Sequence, residues 1–331
     1  MMKAIQTLTL MALCSTTPSV IAAQAQNNNL PAQLAKCAAI NSTAERLTCY
    51  DSLAADSAES PTSETKIGHP NINTQMEKQH FPHLLAGLDE TNLQFSYGRL
   101  DVLGDDFNAV LLGVGKNQSI KTWQFESTQP ITFNIFGQIR SQFDVSQLST
   151  RNNRGGALIN TDFSVGGALV QNLDQWSWRF SYTHKSTHLG DEFVIDNQEY
   201  LEDRLNLSYE TVRWSALKSI NSWDLYAGLG FITRSEPGNL GKSMWHAGIQ
   251  HVAKNSWGDW LQIRPVMGLD LKSWEATDWV INATFRAGIE VSQLTDLPFQ
   301  VLFEYQDGHS PYGQFYTEDL SFMGLTFLQN W

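Results

Sequence analysis

His184 and Ser186 stand two residues apart in the segment Trp176–His188, WSWRFSYTHKSTH. On an extended chain residues i and i+2 share a face, so the imidazole and the hydroxyl project to the same side. A serine becomes a nucleophile when a base takes its proton, and the base needs a third group to hold its tautomer. The chemistry such a set performs is acyl transfer from an ester. The third group is expected on the following strand. There Asp203 interrupts an apolar face of Leu201, Leu205, Leu207 and Tyr209. With the hairpin turning near Phe193–Val194, Asp203 falls across from His184, with about 5 Å between Cβ atoms. A slip of one residue would turn it to the opposite face; Asp196 and Glu199 are the substitutes in another register.

The strand that carries the pair also says where it lies. Trp176, Trp178, Phe180 and Tyr182 alternate with Ser177, Arg179, Ser181 and Thr183. One face is too apolar for water and the other too polar for a core. A transmembrane barrel strand, apolar outward and polar to the lumen, resolves the conflict. About ten residues of tilted strand cross the apolar layer. With Trp176 at the inner rim, His184 and Ser186 then reach the outer headgroup boundary, facing lipid. Lys185 and Thr187 point to the lumen, as do Arg179, Glu202, Arg204 and Glu210, where a salt-bridged plug of side chains is expected. Just beyond the strand, Asp191 and Glu192 offer oxygen ligands that suit Ca²⁺, although that ion takes 6 to 8. A non-catalytic reading stands beside these: His is a frequent girdle residue, Gly190 suits a turn, and His309-Ser310 in a loop reads as a turn.

The N-terminus has one early charge, Lys3, and an apolar stretch from Leu8 to Ala23 ending in small residues. Residues 1–23 are expected to be a secretory signal peptide cut after Ile21-Ala22-Ala23. Cys14 follows Leu13, where a lipoprotein signal needs a small residue. No other apolar run approaches the 20 residues of a membrane helix. Hydrophobic content is 42% and mean hydropathy −0.28, values shared with soluble proteins. The 11 Trp and 17 Phe, set in alternating segments, favour the barrel with aromatic girdles. A net charge of −12 argues against a nucleic-acid partner.

Past the signal only Cys37 and Cys49 remain. In an oxidising compartment such a pair is most simply a disulfide. It would staple a helical hairpin over 24–55, in which Leu34, Cys37, Ile40 and Leu47, Tyr50, Leu53 recur at helical spacing and Ser42 with Glu45 makes a capping box. Residues 56–80 read as a polar linker and 81–331 as the barrel.

From about Leu93 alternating segments arrive regularly. Strands are expected near 131–145, 157–171, 175–187, 200–217, 222–234, 241–254, 259–274, 278–294, 298–307 and 315–331, with two more between 93 and 127. The total of roughly 12 is even, as such barrels require. Short connections at 171–175, 218–222, 255–259 and 294–298 mark the periplasmic end, and longer ones at 146–156, 188–199, 235–241 and 308–313 the outer end. The connection at 275–277 is a short exception. Trp176, Trp223, Trp260 and Trp331 then fall at the inner rim, Trp274 and Trp279 at the outer one. The last segment alternates Met323, Leu325, Phe327 and closes on Trp331, and resembles the terminal strand recognised by the outer-membrane assembly machinery.

The Cys37-Ala-Ala-Ile … Arg46-Leu-Thr-Cys-Tyr-Asp segment resembles one that precedes the barrel in several envelope proteins, some of them outer-membrane phospholipases. His-x-Ser on a lipid-facing strand, with an orienting residue on the next strand, is similar to outer-membrane phospholipase A and to lipid A deacylases. The phospholipase carries Asn as that third member, and Asn-Gly after its Ser where this chain has Thr187-His188. More of the barrel resembles a family of bacterial envelope proteins known only as a domain of unknown function. The matching segments are Phe81-Pro82-His83-Leu84-Leu85-Ala86, Gln142-Phe143-Asp144, Leu158-Ile159-Asn160-Thr161-Asp162, His184 to Glu192, and Gly308-His309-Ser310-Pro311-Tyr312-Gly313-Gln314-Phe315. That resemblance implies a shared fold and no activity.

The sequence thus points to an all-β, antiparallel barrel of about 12 strands in a bacterial outer membrane, preceded by a short helical hairpin. Two functions remain open. One is an acyl-ester hydrolase acting on membrane lipid, with Ser186 as nucleophile, His184 as base and Asp203 orienting it. The other is a non-enzymatic barrel that binds a partner or small ligand through its loops. Expected partners are membrane lipids and the assembly machinery, with Ca²⁺ at Asp191 and Glu192 and a homodimer left open.

Overall fold

The computed structural model describes residues 35–56 and 80–330, apart from 103, 127, 147–155, 197–206, 259–260, 293 and 295–296. The signal-peptide reading falls outside the described residues, as do Trp260 and Trp331. The chain divides into two units, 1–68 and 69–331. In the first, a helical turn at 35–38 leads into helix α1 (Thr43–Asp56). Ser42 begins α1, its carbonyl accepting the Arg46 amide at 2.9 Å. The expected disulfide joins Cys37 to Cys49 with Cα atoms 5.6 Å apart. A hairpin this small has almost no core, so the crosslink does the work of one.

The second unit is a closed antiparallel barrel of twelve strands. They are β1 (Leu93–Val102), β2 (Asp105–Trp123), β3 (Ile131–Asp144), β4 (Ala157–Asn172), β5 (Trp176–Leu189) and β6 (Ser208–Ile220). Then follow β7 (Trp223–Glu236), β8 (Ser243–Val252), β9 (Gln262–Trp274), β10 (Ile281–Ser292), β11 (Phe299–His309) and β12 (Asp319–Gln329). β1 pairs with β12, so the sheet has no free edge. A short helix α2 (Asp191–Asp196) follows β5. Among the described residues no helix is long and apolar enough to cross a membrane. The outer wall is a belt of exposed apolar side chains, including Phe95, Tyr97, Trp176, Phe180, Tyr182, Trp214, Phe303 and Leu325.

Two expectations change. Among the described residues β6 runs from Ser208, and the connection after β5 forms α2. The faces of β6 are inverted: Leu207 and Tyr209 turn inward, packing with Trp274 and Met244, while Trp214 and Ile220 are exposed outside. Trp274 correspondingly leaves the girdle; it is buried and its Nε1–H donates to the Gly241 carbonyl at 2.8 Å.

The lumen is filled by the chain itself. Residues 80–92, just ahead of β1, make contacts with wall strands all round the barrel. Phe81 and Leu84 pack on Ala168, Val170, Leu217 and Tyr226, and Leu85 on Val266, Leu302 and Leu328. Polar wall side chains take up this segment's backbone. Gln250 accepts the Leu85 amide at 2.8 Å and donates to the His83 carbonyl at 3.0 Å. Arg286 donates to the Leu85 carbonyl at 2.9 Å, Arg140 to that of Leu88 at 2.6 Å, and Gln138 to that of Glu90 at 2.9 Å. A buried irregular segment survives only if its backbone is satisfied in this way. Asp89 meets Arg213 at 3.0 Å and Lys272 at 2.6 Å. The expected plug of side chains is therefore a plug of main chain and side chains together.

The opposite mouth is narrowed by residues 310–318. The Gly313 amide donates to Asp162 at 3.1 Å, and Lys185 bridges Asp162 at 2.9 Å and the Pro311 carbonyl at 3.1 Å. Tyr312 is buried under the Arg140 guanidinium, 5.5 Å from its ring centre.

Candidate functional site

β5 carries His184 and Ser186 on the outer wall, in phase with the exposed Trp176, Phe180 and Tyr182. Lys185 and Thr187 face inward, Lys185 to Asp162 and Thr187 against Gly313. The pair is one pleat repeat apart, about 6.6 Å along the strand. Opposite His184 on β6 stands Glu210, and opposite Ser186 stands Ser208. His184 Nδ1 lies 3.3 Å from Glu210 Oε1. The imidazole is 42% exposed and the carboxylate 16%. With Nδ1–H donating to the carboxylate, the Nε2 lone pair is left as the proton acceptor. Histidine, carboxylate and serine thus share one face across two strands.

The register puts a different residue across from His184. The position across from His184 belongs to Glu210, which faces outward and not into the lumen; Asp203 lies outside the described residues, together with Glu199, Glu202 and Arg204. On β6 Glu210 shares the outward face of Trp214, the reverse of the expected phase. A signal for Glu210 was present in the sequence. Val212, Trp214, Ala216 and Ile220 share its parity and form an apolar stripe, but a rival stripe faces inward: Leu217 packs on Phe81 and Leu84 of the plug, and Leu207 and Tyr209 pack with Trp274 and Met244. Asp191 and Glu192 sit in the first turn of α2, both exposed. Their charges suit a helix start, and among the described residues no three His, Cys, Asp or Glu cluster as a metal would require.

A second Ser/His/carboxylate set lies inside the barrel. Ser215 Oγ is 3.0 Å from His246 Nε2, and His246 Nδ1 is 3.7 Å from Asp270 Oδ2. Gly228, between Ser215 and His246, leaves the gap in which they meet; a Cβ there would stand 2.2 Å from His246 Nε2. Ser215 is 1% exposed, so no ester can approach it beneath the plug. Ser215 and His246 here satisfy each other as buried polar groups.

Near the plug's tip the electrostatics are closed. Burial raises the Asp89 carboxyl, but Lys272 and Arg213 outweigh it and hold it well below the usual range. Burial likewise opposes ionisation of Glu90, and Arg179 more than offsets it. Burial pushes His83 down to about 4. Asp89 borders a lumenal cavity of about 80 Å³, which is why part of its surface stays open although it lies deep within the barrel.

No curated protein matches the chain in sequence. Among solved structures it is similar to outer membrane phospholipase A from Escherichia coli, with a TM-score of 0.52 and 10% identity over 76% of this chain and 95% of that one. The outer membrane phospholipase dimer with bound calcium from Salmonella typhi gives 0.48 and 11%, covering 72% and 91%. The KdgM porin in complex with oligogalacturonate gives 0.40 and 8%, covering 72% and 98%. The first likeness, at that identity, establishes a common barrel fold of the outer-membrane type. The model of a family described as "Protein of unknown function (DUF1207)" matches residues 95–330, and the chain belongs to that family.

Proposed function

We propose that the protein is a carboxylic-ester hydrolase of the bacterial outer membrane that cleaves membrane lipid from the outer wall of its barrel. The observation that carries this reading is the 3.3 Å contact of His184 Nδ1 with Glu210 Oε1, on the same lipid-facing side as Ser186. Ser186 is the nucleophile, His184 the base, and Glu210 takes the orienting role assigned on sequence to Asp203. The Ser186 Oγ–H passes its proton to His184 Nε2 as Oγ bonds to the ester carbonyl carbon. The imidazolium, stabilised by Glu210, returns that proton to the departing alkoxide as the C–O bond breaks. Water then attacks the acyl-serine, losing a proton to His184; fatty acid leaves and the proton returns to Ser186. The filled lumen supports the reading, because a barrel so stopped is a poor general pore.

The test is purified, refolded protein in mixed micelles, with fatty-acid release measured for wild type and Ser186→Ala. Release by wild type alone, together with fluorophosphonate labelling that Ser186→Ala removes, supports the proposal. Equal release by both proteins, or none from wild type with and without Ca²⁺, overturns it.

A further inference from the structure

We infer that a groove on the outer wall beside Ser186 is an acyl-chain subsite that selects chains of about 10 to 12 carbons; this rests on the hydrolase reading above. Strand register aligns Lys116 of β2, Gly137 of β3, Val165 of β4 and His184 of β5 in one row across the sheet. The adjacent row ends Ile139, Phe163, Ser186. Between the rows lies a groove of about 560 Å³, within the roughly 300–1,000 Å³ of small-molecule sites. It exists because of Gly137: a Cβ built there meets nothing nearer than the Ser164 carbonyl, at 3.8 Å. Its flanks are apolar and open, with Ile139 46%, Phe163 42% and Val165 59% exposed.

The occupant follows from the two ends. One end is the nucleophile. The other is Lys116, a cation on a wall otherwise built for lipid, and no ion pair of its own is found among the described residues. Methylene groups laid against an ammonium strip its hydration without compensation, so Lys116 closes the apolar track. Three strand spacings separate the Lys116 and His184 backbones, about 14 Å, roughly an extended chain of 10 to 12 carbons. The occupant is therefore an acyl chain of the lipid whose ester sits at Ser186. It enters sideways from the leaflet, with Gly137 as the floor beneath it.

Phosphatidylcholines with chains of 6 to 16 carbons, in mixed micelles, test this against wild type, Gly137→Phe, Lys116→Leu and Ser186→Ala. Wild type should peak at 10 to 12 carbons. Gly137→Phe should lower the ratio of 12- to 6-carbon kcat/KM about tenfold, and Lys116→Leu should raise the 16-carbon value several-fold. A chain-length profile identical in all active variants overturns the groove while leaving the hydrolase in place. Native mass spectrometry of Ser186→Ala supplies a readout without turnover. Retention of a 12-carbon lipid, lost when Gly137→Phe is added, supports the groove even if hydrolysis proves absent. No retention, or retention that Gly137→Phe leaves untouched, overturns it.

Discussion

Glu90 receives both branches of the Arg179 guanidinium, Oε1 at 2.7 Å from Nη2 and Oε2 at 3.1 Å from Nη1. The first residue belongs to the plug and the second to the wall of β5, and both are nearly buried. The same Arg179 lies 4.5 Å over the ring of Phe81, at the other end of the plug. One side chain therefore ties the segment at two points. Glu90→Ala would leave a buried guanidinium unpaired and should cost about 3 kcal/mol. The urea midpoint of the heat-modifiable folded band, in detergent, reads the loss; an unchanged midpoint would mean the plug contributes nothing to barrel stability.

Glu210 should separate orientation from charge. Glu210→Gln keeps an acceptor for His184 Nδ1–H but loses the charge that steadies the imidazolium, so kcat should fall about tenfold. Glu210→Ala loses both functions and should fall by about a thousandfold. KM should move little in either. Equal activity in all three proteins would deny Glu210 its role.

Ser215→Ala discriminates between the two serine sets. Sealed under the plug, Ser215 should matter for packing alone, with a loss of about 1 kcal/mol in stability and lipid hydrolysis unaltered. Hydrolysis abolished by Ser215→Ala but surviving Ser186→Ala would move the centre to the lumen.

His83 gives the plug a pH signature. Its folded pKa, near 4, lies below the 6.5 of an unburied imidazole. Between those values the unfolded chain binds the proton and the folded one does not, so stability falls as pH drops from 6.5 to 4, by up to about 3 kcal/mol. Asp89 and Glu90, held below the usual carboxylate range, lose their contributions only at lower pH. Urea midpoints across this window should slope in wild type and flatten in His83→Gln; parallel slopes would contradict the assignment.

The disulfide should act on its own unit. Cys37→Ser removes a crosslink closing a short loop, worth about 3 kcal/mol to the hairpin. Protease cleavage within 35–56 should appear, with the barrel's heat-modifiable mobility unaffected. A barrel that fails to assemble would show that the hairpin is needed for folding.

The barrel was legible because period-two aromatics on β5 and terminal alternation on β12 follow directly from a wall with lipid outside. Strand ends fell within a few residues wherever turns were short, as at Asn221-Ser222. Trp274 of β9 turned inward from its expected girdle, but the main failure was on β6. There the alternation rule assumes a polar lumen, whereas Leu217 packs on the plug and Leu207 on Ile232, Met244 and Trp274, so both imitate lipid-facing residues. The residue found across from His184 is accordingly Glu210, while Asp203 lies outside the described residues. Nothing in the periodicity could announce that Phe81-Pro82-His83-Leu84-Leu85-Ala86 folds inside the barrel. A short apolar run ahead of β1 has no spacing of its own, and its partners, Gln250, Arg286 and Arg140, are scattered along the chain.

A barrel filled from within also changes what its host risks by making it. The lumenal cavities beside Asp89, about 80 Å³ each, have room for a few waters, not for a nutrient or an antibiotic. The catalysis proposed for the outer wall would ask for no opening either, since lipid lies against that wall. Such a protein can be abundant without raising the permeability of the membrane, so its copy number is free of that constraint.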